Sequence, residues 1–297
     1  MFFRIHHRLS YTYERPVFLE PMALRLTPRQ DGSQRILEHQ LRLEEAPAGL
    51  SRVLEPDGTD ATVAWFEQER DQLTITVDML VETLRSNPFD WIVTHPEAQQ
   101  LPVGYPEAEV RSLAGCLQDG VDSGVGTWAR SIATGVDGSA TAFLSALADT
   151  IHHGFHHVGR LEGEPTDPAE TLETRTGACR DTAMLFVAAC RSQGLAARFV
   201  SGYSMHHPPE VSEHELHAWA EVYLPGGGWR GFDPSLGLAV ADGHVVLAAA
   251  PDHHLAAPVS GRYRGTGVSS TLAYQIHLQA ADDLGQLKAP PQPMILS

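Results

Sequence analysis

Cys179, His217 and Asp233 are the residues around which covalent chemistry can be built in this sequence. Cys179 follows Thr176-Gly177-Ala178 and leads into Ala183 to Cys190, a run that is apolar nearly all round. Gly177 to Gln193 is therefore expected as a buried core helix, with Gly194 at its C-terminal cap. A thiol in the first turn of a helix meets unpaired backbone N–H groups and the positive end of the helix dipole, and both favour the thiolate. The Cys179 N–H can also donate to the oxyanion that forms when a thiolate attacks an amide carbonyl. Such a nucleophile needs a base that titrates near neutrality and a third group that fixes the base's tautomer.

His217 heads the strand-like run His217 to Leu224, and Asp233 ends the next one, Trp229 to Phe232, just before Pro234. Side chains on adjacent strands touch only if they share a face, so hairpin parity tests the pairing. If Leu224 pairs with Gly228 across a three-residue loop, Trp219 opposes Asp233 and His217 is its diagonal neighbour. If the loop is instead Pro225 to Gly228, Asp233 points to the wrong face unless a bulge corrects it. A His217 to Asp233 contact thus demands the odd register or a bulge.

Other reactive residues fit blander roles. Cys190 lies eleven residues along the same helix from Cys179, roughly 16 Å away, and reads with Cys116 as buried packing. His152-His153 and His156-His157 offer i and i+4 pairs, but neither an acidic ligand nor HExxH spacing accompanies them, so no metal ligand set and no cofactor are expected. Gly124-Val125-Gly126-Thr127-Trp128-Ala129 follows no buried strand, which rejects a dinucleotide site. Trp219 covers the sheet as apolar bulk and is also a candidate lining of a substrate cleft, as are Arg180 beside the nucleophile and His214 in the loop before His217.

The elements that must position these residues differ along the chain. Up to about residue 93, apolar and polar residues alternate in short runs, as in Leu73-Thr74-Ile75-Thr76-Val77-Asp78-Met79, with Pro56-Asp57-Gly58 as a hairpin turn. This predicts an antiparallel β-sandwich-like domain over 1–93, then a linker over 94–110. Residues 111–297 are expected to form an α+β domain: a helix capped by Ser139, the Cys179 helix, then strands at 197–200, 217–224 and 229–232, with further strands at 245–247 and 272–276.

Composition bounds the setting. With 37 Asp and Glu against 21 Lys and Arg, the formal charge is -16, and that field repels nucleic acid and anionic membranes. Neither is expected as a partner. Three cysteines argue against a disulfide framework, and Met1 to Arg8 turns polar after three residues, so a cytoplasmic protein is expected. Oligomeric state has no signal in the sequence.

Four segments taken in order carry a family likeness: Gly177-Ala178-Cys179-Arg180-Asp181, Gly194 to Tyr203, His217-Ala218-Trp219-Ala220-Glu221-Val222, and Gly228-Trp229-Arg230-Gly231-Phe232-Asp233-Pro234. They resemble the successive motifs of the transglutaminase-like superfamily. The likeness extends to its bacterial two-domain members through Asn87-Pro88-Phe89-Asp90-Trp91. It implies a papain-like catalytic domain with Cys179, His217 and Asp233 at the triad positions. Where the family carries Gly-Arg-Asp-Tyr, this chain has Ala250-Pro251-Asp252-His253-His254.

The expected activity is that of a cysteine-dependent peptidase or amidase, acting through a Cys179 thioester on a peptide or protein substrate. Water needs no second docking site, which favours hydrolysis. The alternatives are acyl transfer from protein glutamine to an amine, and a binding module that keeps the fold without the chemistry.

Overall fold

The computed structural model describes residues 1–118, 122–160, 163–206 and 216–288. The N-terminal strands are β1 (Phe2–Leu19), β2 (Met22–Leu24), β3 (Gln34–Leu43), β4 (Gly49–Leu54), β5 (Asp60–Trp65) and β6 (Arg70–Thr83). Helices α1 (Glu107–Leu113), α2 (Ser123–Gly135) and α3 (Ala140–Gly154) follow, then β7 (His156–His157), α4 (Pro168–Thr174), β8 (Thr176–Gly177) and α5 (Cys179–Ser192). Next come β9 (Ala197–Ser204), β10 (His217–Leu224), β11 (Gly228–Asp233), β12 (Leu238–Ala239) and β13 (His244–Ala250). The chain closes with β14 (Val259–Ser260), β15 (Tyr263–Arg264) and β16 (Ser270–Ala281).

Two compact units result, and their boundaries differ from those expected. Met1–Ser86 and the segment from Ala257 onward form one; the described residues between Asn87 and Ala256 form the other. The expected catalytic domain of 111–297 is corrected at its C-terminal end, because β16 pairs along its whole length with β1, from Phe2 opposite Ala281 to Tyr13 opposite Ser270. The alternation of 272–276 marks a strand, yet a period of two says nothing about which sheet edge the strand joins. Leu101 and Tyr105 of the expected linker pack on the core of the second unit, as do Trp91 and Val93 from the end of the expected N-terminal domain.

The first unit contains two antiparallel sheets, one in which β6 and β16 flank β1 and one ordered β14-β2-β5-β4. Period-two burial drives the first sheet. Phe3, Ile5 and Leu9 of β1 sit opposite Val81, Met79 and Ile75 of β6, and all six are nearly inaccessible. Each buried apolar side chain of this size contributes about 1.5–3 kcal/mol.

In the second unit an antiparallel sheet, ordered β12-β11-β10-β9-β13, packs against the helices. Helix α5 buries Leu185, Phe186, Val187, Ala189 and Cys190, as its unbroken apolar body demands. It ends where expected: Gly194 takes φ +76°, and the Leu195 N–H returns to the Cys190 carbonyl at 3.0 Å, the bond of a Schellman cap. The Phe186 and Phe232 rings stack at 5.9 Å and seat α5 on β11.

Candidate active site

The β10–β11 hairpin adopts the odd register. Leu224 pairs with Gly228, Tyr223 with Trp229 and Ala220 with Phe232, so the turn holds the three residues 225–227. Carried one pair further, the register sets Trp219 opposite Asp233, and His217 becomes the diagonal neighbour. His217 Nε2 lies 2.6 Å from Asp233 Oδ2. Both side chains are buried, and a carboxylate can only accept, so the ring nitrogen donates.

Asp233 is anchored from every side. Its Oδ1 accepts from the Ser235 N–H at 3.0 Å, the Ser235 hydroxyl at 2.7 Å and the Leu236 N–H at 3.2 Å. Its Oδ2 accepts from His217 and also from His244 Nε2 at 3.0 Å. Burial alone would push the Asp233 carboxyl up, but the two histidines outweigh it and hold the group well below the usual carboxylate range.

For His217, burial pulls the pKa down, while the Asp233 carboxylate and then a side-chain hydrogen bond with Cys179 carry it up to about 10. Because Nε2 is engaged by Asp233, Nδ1 is the ring nitrogen left for Cys179. Burial holds His244 below its ordinary value, against the pull of Asp233. It is the neutral partner of the pair.

Cys179 is the first residue of α5 and is half-buried, packed against a buried cluster made of Ala183, Phe199, Ala218, Ala248, Ala250 and Ala256. Its turn is fastened by Asp181. That buried carboxylate accepts from the Ala178 N–H at 2.8 Å, the Thr166 N–H at 2.7 Å and the Arg160 guanidinium at 2.5 Å. Ala178 has no acceptor side chain, so Asp181 alone supplies a reciprocal half of a capping box.

The other expected site residues separate. Arg180 is half-buried beside Cys179. Trp219, a candidate cleft residue, is corrected: it is 0 % exposed, its ring stacked on His217 at 6.0 Å and edge-on to His244 at 5.0 Å. Gly202 opens that slot, since a Cβ there would lie 2.7 Å from the Trp219 ring and 2.0 Å from the Val245 carbonyl. His214 lies outside the described residues. Cys190 and Cys116 are buried and unpaired, with burial raising both thiols, which leaves them inert.

His244 is the residue that sequence reasoning missed. A histidine at the head of the otherwise apolar Val245 to Ala250 run was the available signal.

The stretch that holds all three residues, 126–234, matches the transglutaminase-like superfamily, and 3–82 matches the bacterial transglutaminase-like N-terminal region. Residues 126–234 belong to the transglutaminase-like superfamily. The superfamily core ends one residue beyond Asp233, so His244 lies outside the matched stretch. An uncharacterized protein of Mycobacterium leprae is 27% identical over 273 residues, covering 90% of this chain and 94% of its own. One of Mycobacterium tuberculosis strain H37Rv is 28% identical over 283 residues, covering 87% and 86%. Among solved structures, a candidate cysteine protease of Cytophaga hutchinsonii superposes with a TM-score of 0.71 at 22% identity, over 95% of this chain and 92% of that one. That likeness establishes the transglutaminase-like fold with its β-rich N-terminal region. No described helix is long and apolar enough to cross a membrane.

Proposed function

We propose that the protein is a cysteine-dependent peptidase or amidase with Cys179 as nucleophile, His217 as acid and base, and Asp233 as the group that orients His217. The observation that carries this reading is the 2.6 Å contact of His217 Nε2 with Asp233 Oδ2, with Cys179 as a further hydrogen-bond partner of the same imidazole. Chains of this kind recur on unrelated folds for one reason: the third group fixes the tautomer and stabilises the imidazolium formed in the reaction.

In the proposed cycle His217 already holds the proton that Cys179 has given up, and the resulting thiolate attacks the amide carbon. The tetrahedral oxyanion is met by the Cys179 N–H at the start of α5. His217 then protonates the departing amine, the C–N bond breaks, and a thioester remains on Cys179. Water, deprotonated by His217, attacks the thioester to release the carboxylic acid and restore the thiol.

Arg180 stands beside the nucleophile and would meet a peptide or protein substrate at the cleft. Hydrolysis is favoured over transfer to an amine because water requires no second binding site. Three unpaired cysteines support a reducing, cytoplasmic setting.

The test is alkylation of Cys179 by iodoacetamide at pH 6, followed by mass spectrometry. Labelling that is fast in the wild type and slow in His217→Ala supports the pair. Equal, slow labelling in both would sink it. Glutamine peptides assayed for new termini and ammonia, against incorporation of an added amine, then separate hydrolysis from transfer.

A further inference from the structure

Away from Cys179, three donor atoms of metal-binding type converge. Glu164 Oε2 lies 3.1 Å from His253 Nε2 and 3.5 Å from His254 Nδ1, and all three donors fall within 4.8 Å of one another. A Zn2+ ion with ligand distances of about 2.0–2.1 Å in tetrahedral geometry sets its donors about 3.3 Å apart. The two separations bracket that spacing.

We propose that Glu164, His253 and His254 form a binding site for one divalent d-block cation of the Zn2+ class. Two imidazoles and one carboxylate suit zinc, nickel or copper; magnesium and calcium prefer an all-oxygen shell. Three protein ligands leave a fourth position for water. Glu164 and His254 are largely exposed, so an ion enters from solvent.

The surroundings orient the donors. Asp252 Oδ1 faces His253 Nδ1 at 3.7 Å, on the ring edge opposite Glu164. A carboxylate on that side favours a proton on Nδ1, which leaves Nε2 as the nitrogen available to an ion. The same Asp252 oxygen accepts from the His254 N–H at 2.9 Å and shapes the turn that carries both rings. His253 is further held by edge contact with Phe199 at 6.2 Å.

The plain alternative is an exposed Glu to His ion pair, which explains either contact alone. It does not explain why two rings whose centroids are 4.0 Å apart aim at one oxygen. The other three-donor group among the described residues, His217, Asp233 and His244, is buried, and its donors are already bonded to one another. An ion at Glu164 would tie the segment before α4 to the turn after β13, 89 residues further along the chain.

The experiment is calorimetric titration of ZnCl2 into the full chain carrying Cys179→Ala, which removes the half-buried thiol as a competing ligand. One ion per chain is expected. Affinity should fall at least about tenfold in Glu164→Gln and in His254→Ala, the usual scale for a disturbed metal shell, and vanish in the His253→Ala/His254→Ala double variant. Tetrahedral visible absorption with Co2+, and a Zn2+-dependent rise in Tm, should both disappear in that double variant. The pair His152→Ala/His153→Ala should bind like the parent. No saturable binding by the parent overturns the proposal, as does binding that survives the double variant or depends on His152 and His153.

Discussion

His217 and His244 share a single carboxylate oxygen: their Nε2 atoms lie 2.6 Å and 3.0 Å from Asp233 Oδ2. One ring faces Cys179 and is held cationic, while the other is buried behind the carboxylate and stays neutral. His244 therefore acts as a positioning residue through Asp233. Replacing it with Leu removes one donor from a buried charge and should cost about 1.5–3 kcal/mol of stability. His244→Gln keeps an N–H donor and should recover most of the loss. Urea unfolding, together with the pH profile of Cys179 alkylation, reads both effects. A profile unchanged in the Leu variant would deny His244 any influence on His217.

The histidine pair gives stability a pH optimum. His217 has a folded pKa raised to about 10 from an unfolded value near 6.5. Its contribution is complete below pH 6.5 and is lost as pH climbs toward 10. His244 is depressed, so its burial weakens the fold as pH drops below 6.5, where the unfolded chain gains a proton that the folded one refuses. Asp233 is depressed as well, and its contribution is lost only in strong acid. Urea midpoints should fall from pH 7 to pH 9.5 in the wild type and be nearly flat over that range in His217→Gln.

Asp181 ties the Cys179 turn to the loop before α4 through three hydrogen bonds, one of them charged. Asp181→Ala leaves the Ala178 and Thr166 N–H groups without their acceptor and should cost about 3 kcal/mol or more. Alkylation of Cys179 should slow as its turn loosens. Chemical denaturation and labelling rate, measured on the same preparation, check both statements.

Gly202 is required by closeness rather than by flexibility. A methyl group there meets the Val245 carbonyl and the Trp219 ring, and overpacking on that scale costs about 1–3 kcal/mol or more. Gly202→Ala should lower the urea midpoint and disturb His217, whose ring stacks on Trp219. Gly159→Ala, where an added Cβ meets no atom within 4 Å, is the control and should leave both unchanged.

How far the site could be read in advance depended on how local its determinants were. The apolar body after Ala178 and the cap at Gly194 mark α5, and the thiol at its head follows from neighbouring residues alone. Parity narrows the hairpin to two registers. The choice between them was made by the three-residue turn that pairs Leu224 with Gly228.

Features that depended on remote partners were invisible. The alternation of Leu272 to Ile276 announces a strand, but its seat beside β1 was settled by edge pairing across more than 250 residues of chain. Trp219 shares a face with His217, as alternation requires, but the notch at Gly202 decided that it is buried instead of lining a cleft. His244 reaches Asp233 because β13 lies beside β9, which in turn pairs with β10. Residue order alone marks a thiol at the head of a buried helix and a histidine and an aspartate on neighbouring strands, because helix caps and strand alternation are local. Which second histidine shares that carboxylate, and which three donors meet near Glu164, follow from sheet order and loop closure, and neither leaves a periodic trace in the chain.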